Sequence, residues 1–307
     1  MAERLLIVGT GAMACWFAAQ LAPHADVTLV GQWAEGLAAL RQHGVILERD
    51  GRRRSFAVEA AGYQEDLPPY PLALVLVKAY QTEAAAAALA RWLAPDGLAV
   101  TLQNGLGNLE VLAARLGAER VALGVTTAGA TLVGPGIVRE GGAGPTAIAR
   151  HPRSSELLQL LQNAGLPAGL ADDALGLVWG KLAISAAVNP VTALLRVANG
   201  RLLEPWARGA LEAAGEAMTE AVATAQAAGI RLPYADALFE LKAVLRRTAA
   251  NRASMLQDIE SGRPTEVEAI NGAVVREAEK RGVPVPVNRV LLALIRSLAA
   301  SPSGGER

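Results

Sequence analysis

The feature that most constrains this chain is a short turn near its start. Residues 9 to 14 read Gly-Thr-Gly-Ala-Met-Ala, a G-x-G-x-x-A pattern set between an apolar run, Arg4 to Val8, and the segment Ala12 to Leu21. The run reads as a buried strand, the segment as a helix, and Asp26 to Val30 as the next strand. Gly9 permits the tight turn, Gly11 lets a backbone approach a pyrophosphate, and Ala14 is small enough for close helix–strand packing. Thr10, Ala12 and Met13 complete the turn, and the helix N-terminus adds oriented N–H groups and a favourable dipole. Alone, the glycines could be an ordinary α/β turn. Their place inside a strand–helix–strand unit makes a dinucleotide site the stronger expectation.

Strands continue to alternate with helices. Ala34 to His43 reads as a helix closed by Gly44, and Val45 to Glu48 and Ser55 to Glu59 flank Asp50-Gly51, a hairpin signal. Leu72 to Val77, Thr82 to Leu93 and Leu98 to Leu102 read as strand, helix and strand. Val121 to Ala149, rich in Val, Thr and Gly, reads as strands completing the sheet. After about Leu170 strand signals stop. Asp172–Leu195, Pro205–Ala228, Tyr234–Thr248, Thr265–Arg281 and Asn288–Ala299 read as helices. The expected fold is an α/β N-terminal Rossmann domain over 1–170, with a mainly parallel, doubly wound sheet. An all-α C-terminal domain over 171–307 follows, with the active site in the cleft between them.

The end of the second strand selects between cofactors, since an acid there holds a ribose hydroxyl and a base accepts a 2′-phosphate. Here it reads Gly31-Gln32-Trp33, neither acidic nor basic, which leaves the preference open.

Lysine is scarce. Of 29 basic residues only four are lysines, Lys78, Lys181, Lys242 and Lys280. Lys181, Ser185 and Asn189 stand at i, i+4 and i+8 of an otherwise apolar segment, Trp179 to Pro190, so they share one face of a helix that should be buried. A single lysine could snorkel from such a helix. Three polar groups in register point to a cavity. Lysine can donate a proton where arginine cannot. Asn104, in Gln-Asn-Gly-Leu-Gly-Asn after a predicted parallel strand, sits where such sheets bind ligands, although Asn-Gly is also a common turn pair. In Ser254 to Glu266, Pro264 reads as the first residue of a helix, placing Glu266 in its first turn, where a carboxylate is favoured in any case.

Together these motifs resemble the ketopantoate reductase family. They are the glycine turn, Val-Lys-Ala-Tyr-Gln at 77–81, Gln-Asn-Gly-Leu-Gly-Asn at 103–108, Lys-Leu-Ala-Ile-Ser-Ala-Ala-Val-Asn-Pro from 181, Asn199-Gly200, Ser-Met-Leu-Gln-Asp-Ile from 254, and Thr265-Glu266 followed by Ile-Asn-Gly at 270. They span nearly the whole chain in order. The resemblance implies reduction of 2-dehydropantoate to pantoate with NADPH, on the route to pantothenate and coenzyme A. It implies that Lys181 donates the proton and that Glu266 is the essential glutamate near substrate and nicotinamide ribose. Lys78 and Asn104 match positions contacting cofactor and substrate, and Ala130 a further cofactor contact. Asn189, Asn199 and Ser254 match substrate-binding positions. Two residues depart from the pattern: Ser185 stands where members carry a substrate-binding asparagine, and Gln32 where an arginine often grips the 2′-phosphate.

Composition narrows the rest. Basic and acidic residues balance at 29 each, so no net field recruits nucleic acid or anionic lipid. The lone Cys15 excludes a disulfide framework within the chain and suits a reducing, cytoplasmic setting. No signal peptide or good membrane span is expected. Three histidines, at 24, 43 and 151, show no ligand spacing, so no metal is expected. The apolar content of segments such as Pro205–Ala228 leads us to expect a homodimer. Two other readings share the architecture: a related small 2-keto or β-hydroxy acid dehydrogenase, and a nicotinamide-binding regulator without catalysis.

Overall fold

Alternation along the first strand explains what surrounds it. In β1 (Glu3–Val8), Leu5 and Ile7 enter one apolar cluster and Leu6 and Val8 another, all fully buried. A strand covered on both faces belongs in a sheet with helices on either side. The computed structural model, which describes residues 3–301, has that arrangement.

The chain continues through α1 (Ala12–Leu21), β2 (Ala25–Gly31), α2 (Ala34–His43), β3 (Val45–Arg49), β4 (Arg52–Phe56), β5 (Glu59–Gly62) and β6 (Tyr70–Val75). It goes on through α3 (Thr82–Trp92), β7 (Leu93–Thr101), α4 (Asn108–Leu116), β8 (Val121–Thr126), β9 (Gly129–Gly134), β10 (Ile137–Gly142), β11 (Thr146–Ala149), α5 (Ser154–Asn163) and β12 (Ala168–Ala171). Eight strands form the main sheet in the order β12-β11-β8-β7-β6-β1-β2-β5. Neighbours are parallel except β8 and β11. The order turns at β1, which lies between β2 and β6, and ligands of such sheets bind outside the carboxyl ends of the strands at that point.

The expectation that Val121 to Ala149 completes the main sheet holds only for its two ends. β9 and β10 leave it and join β3 and β4 in a separate four-stranded sheet, order β4-β3-β10-β9, packed on α1. The reason lies in their exposure. β4 and β10 carry polar faces on which Glu48 pairs with Arg53 and Arg139, while Val138 turns inward to the core beside α1. A sheet with one wet face covers a helix; it does not extend a sheet buried on both sides.

The described residues divide into two compact units. One runs up to Gln103 and from Asn108 to Ala174; the other takes Asn104–Gly107 and the chain from Leu175 onward. The second is helical: α6 (Ala174–Leu195), α7 (Arg208–Ala227), α8 (Ala237–Arg247), α9 (Ser254–Glu260), α10 (Asn271–Glu279) and α11 (Pro286–Ala300). Among the described residues α6 is the only helix long and apolar enough to cross a membrane. Here its Trp179, Leu182, Ala183, Ala186 and Ala187 lie in the core of the helical unit.

Thr265 to Arg281 is not one helix, which corrects the expectation for Glu266. Helix α10 starts at Asn271, and Glu266 heads a turn in which the N–H groups of Ala269 and Ile270 both return to its carbonyl. The Ala269 carbonyl is turned to the N–H of Leu106 at 3.0 Å, a bond that a continuous helix would not offer to a distant loop.

Two glycines separate clash from strain. Gly44 closes α2 at φ +68°, and a Cβ there would lie 2.1 Å from the Phe56 carbonyl oxygen. Gly51, at φ +72° in the hairpin, has open space around it. Gly51→Ala should therefore destabilise by about 1 kcal/mol, from the left-handed backbone alone. Gly44→Ala should destabilise by at least about 2 kcal/mol, clash added to strain. Urea midpoints of the two variants check the order; equal losses would contradict it.

Candidate active site

The glycine turn has the shape expected of it. Gly9 sits at φ +134°, and a Cβ there would lie 3.2 Å from the Leu76 backbone and 3.3 Å from the Ala14 Cβ. Its N–H donates to the Val30 carbonyl at 2.8 Å, fixing the turn to β2. Thr10 is buried beneath, where a Cβ on Gly31 would meet its Cγ2 at 2.9 Å. Gly11 is exposed, and a Cβ on it would meet nothing within 4 Å. The first turn of α1 has no side-chain cap and no acidic residue. Open space beside uncapped N–H groups at a helix N-terminus fits a pyrophosphate. Ala12 and Met13 are half-buried at the same turn.

At the end of β2, Gln32 is exposed, with Gly31 and Trp33 as its neighbours in the sequence. Arg41 on α2 is committed elsewhere: its Nε donates to the Ala60 carbonyl at 2.9 Å and its guanidinium pairs with Glu65. Lys78 begins the turn after β6, and Ala130 is half-buried on β9. That turn is latched by Gln103, whose Nε2 donates to the Val77 carbonyl at 3.0 Å and to Thr82 Oγ1 at 2.8 Å. Gln103 lay inside a recognised motif, yet its latching role was not read from the sequence. An amide after a buried strand beside a second polar loop was the available signal.

The helical unit gathers three of the predicted residues. Lys181 Nζ donates to Asn104 Oδ1 at 2.7 Å, and Asn104 Nδ2 donates to Glu266 Oε2 at 3.4 Å. Asn104 thus stands between a cation and an anion, and its amide orientation is set by both: oxygen to the ammonium, nitrogen to the carboxylate. The loop carrying it belongs to the helical unit although its neighbours in sequence do not. Gly105 makes this possible. At φ +84° it passes so close to the Glu266 turn that a Cβ would lie 2.4 Å from the Ala269 carbonyl oxygen.

Burial gives the trio its electrostatics. Glu266 is only 5% exposed. The Lys181 side chain keeps some accessible surface, but protein surrounds its ammonium group. Desolvation pushes its pKa from the ordinary 10.5 down to about 8, and the nearby Glu266 carboxylate, which favours the charged form, opposes the fall. A lysine whose pKa is lowered to about 8 beside a carboxylate is suited to give up a proton.

Ser185 and Asn189 lie half-buried on the Lys181 face of α6, and among the described residues their side chains have no hydrogen-bond partner. Ser254 is the half-buried first residue of α9. Asn199 is placed differently. It is buried, its Nδ2 donates to Thr248 Oγ1 at 2.9 Å, and its N–H donates to the Asn251 carbonyl, so it pins its own segment to the end of α8. Its side-chain Oδ1 is buried without a partner.

The glycine turn fits a dinucleotide and the lysine–carboxylate group fits proton transfer, two parts that an oxidoreductase using a nicotinamide cofactor needs. Residues 5–153 match the family model described as "Ketopantoate reductase PanE/ApbA", and 173–299 match its C-terminal counterpart. The chain is 36% identical to the 2-dehydropantoate 2-reductase of Halobacterium salinarum, over 95% of this chain and 98% of that one. It is also 36% identical to that of Archaeoglobus fulgidus, over 96% and 98%. Among solved structures it superposes on a ketopantoate reductase of Ralstonia eutropha with a TM-score of 0.89, at 30% identity over 97% and 98% of the chains. It shares its fold with D-mandelate dehydrogenase bound to NADH and anilino(oxo)acetate, TM-score 0.90 at 24% identity over 97% and 98%. The chain belongs to the ketopantoate reductase family.

The four lysines make the electrostatics measurable by NMR of lysine side chains, with Lys181 assigned by its loss in Lys181→Met. Its titration midpoint should lie near 8. Glu266→Gln removes the interaction favouring the charged form, so the midpoint should move lower. A midpoint that rises or stays fixed in that variant would show that Glu266 does not act on Lys181.

Proposed function

We propose that this chain reduces 2-dehydropantoate to pantoate with NADPH, the step that its family supplies to pantothenate and coenzyme A synthesis. The observation that carries the reading is the bridge from Lys181 through Asn104 to Glu266. NADPH, when bound, would supply the hydride that the keto carbon of the substrate takes up. As the carbon–oxygen double bond opens, its electron pair settles on oxygen, and Lys181 stabilises that charge and transfers its proton to form the hydroxyl. Neutral Lys181 then recovers a proton from solvent. Glu266 holds the charged lysine or the substrate hydroxyl, and Asn104 keeps the two in register. Ser185, Asn189 and Ser254, with free polar groups, orient the substrate; Ser185 reaches less far than an asparagine would. Asn199 has only its carbonyl oxygen to offer. The turn 9–14, Gln32, Lys78 and Ala130 hold the cofactor.

The same reading includes a homodimer in the cytoplasm. Val290 and Leu294, one turn apart on α11, are exposed apolar residues that support a self-association surface on the helical unit. Sedimentation as a 31.8 kDa species at micromolar concentration would refute the dimer.

The fall of NADPH absorbance on adding 2-dehydropantoate, against a panel of small 2-keto acids, tests the activity. Lys181→Ala should lower kcat by roughly 10²-fold or more, the size expected for a positioned acid, with the fold retained. Lys242→Ala, on an exposed position, should be nearly silent. Wild-type turnover should fall as pH rises through about 8, because the acid is then deprotonated. Turnover in Lys181→Ala equal to wild type would sink the assignment.

Cofactor choice follows from the end of β2. With no carboxylate to repel a 2′-phosphate, and with Arg41 held by Glu65 and Gln32 in place of an arginine, NADPH should be preferred over NADH by a modest margin. Measuring kcat/KM with both cofactors decides it, and a preference for NADH would overturn the expectation.

A further inference from the structure

Helix α6 carries Pro190 in its interior. Proline has no N–H, so the carbonyl of Ala186, one turn earlier, loses its helical donor. Ala186 is fully buried, and a carbonyl orphaned there would have no water to turn to. A side chain from another helix fills the gap: Asn271 Nδ2 donates to the Ala186 carbonyl at 3.0 Å.

Asn271 is fully buried at the start of α10, five residues after Glu266. Its second amide hydrogen goes to Asn288 Oδ1 at 3.0 Å. Asn288 in turn donates to the Ala217 carbonyl at 2.9 Å and to Glu220 Oε2 at 2.7 Å. The Glu220 carboxylate also accepts the N–H groups of Val287 and Asn288 at 2.8 and 2.9 Å, capping α11. The direction of every bond is therefore fixed. The Ala217 carbonyl only accepts, so Asn288 must turn its nitrogen to Ala217 and Glu220 and its oxygen to Asn271. Asn271 must then present its nitrogen both to Asn288 and to Ala186. Its own oxygen is left buried without a partner. The residue is held in place by its two donated bonds, and no full complement of partners explains it.

These bonds close a circuit. Lys181 precedes Ala186 on α6, Glu266 precedes Asn271, and Asn104 joins Lys181 to Glu266 at the other end. We infer that Asn271 is a positioning residue, supplying the donor that Pro190 removes from α6 and so setting the Lys181 helix against the turn that carries Glu266. The inference rests on Lys181 and Glu266 working as a pair.

The test is a double-mutant cycle in the full-length protein with Asn271→Leu, Pro190→Ala and the two combined. Leucine keeps the volume and removes the donor; alanine at 190 restores an N–H that reaches Ala186 from within the helix. Asn271→Leu should shift the Lys181 titration midpoint and lower kcat about tenfold, the scale of one lost buried hydrogen bond. The double variant should recover most of both, to within about threefold of Pro190→Ala alone. Packing alone would give no such rescue, since an N–H on α6 does not repair a misfit on α10. A double variant as impaired as Asn271→Leu, or a Lys181 midpoint untouched by Asn271→Leu, overturns the inference. If Asn271→Leu does not fold, folding of the double variant supports it and failure of both overturns it. The lysine titration needs no turnover. It decides the matter even where 2-dehydropantoate proves not to be the substrate, so the two failures stay distinct.

Discussion

The structure depends on keeping one cation where a cation is hard to keep. An ammonium group enclosed by protein loses water that it would otherwise hold, and the remedy is a partner with charge or a strong dipole. Lys181 has both in series, the Asn104 amide oxygen at 2.7 Å and the Glu266 carboxylate beyond it. Burial lowers the Lys181 pKa to about 8 and the Glu266 anion only partly opposes the fall, which suits the ammonium to proton transfer.

That arrangement explains the path of the chain at 104–107. Leaving the main sheet after β7, four residues enter the helical unit and return. Gly105 allows the closest approach, at a backbone conformation and distance that a side chain would not tolerate. Leu106 then donates its N–H to Ala269, so the excursion is tied to the same turn that Glu266 heads. An asparagine placed this way contributes to the helical unit while lying in the sequence of the other.

Sequence reasoning recovered what is set locally. Helices Ala12–Leu21 and Ala34–His43 follow from their neighbours in the chain, as does the hairpin at Asp50-Gly51, both at positive φ. The i, i+4, i+8 stripe on α6 is likewise a local pattern. The misses share a different cause. The split of Val121 to Ala149 between two sheets, the late start of α10 and the membership of Asn104 in the helical unit are all decided by partners far along the chain. The contacts of Gln103, Asn271 and Asn288 were not legible, because a single polar residue gives no hint of which distant carbonyl it will meet. Helix α5 is an exception, since Leu157, Leu160 and Leu161 form a legible buried stripe that was not used.

The choice of lysine at 181 follows from what arginine does elsewhere in this chain. Arginine forms the great majority of the surface ion pairs, with Lys280 beside Glu277 a rare lysine case among the described residues. On a surface the two cations are nearly exchangeable, and the chain takes arginine almost throughout. A guanidinium at 181 would stay charged through the useful pH range and could stabilise a developing alkoxide without ever giving it a proton. A compact ammonium with one short bond to the Asn104 amide oxygen satisfies geometry and chemistry together. In a sequence that otherwise avoids lysine, a lysine at the head of this polar stripe keeps a proton that an arginine could not release.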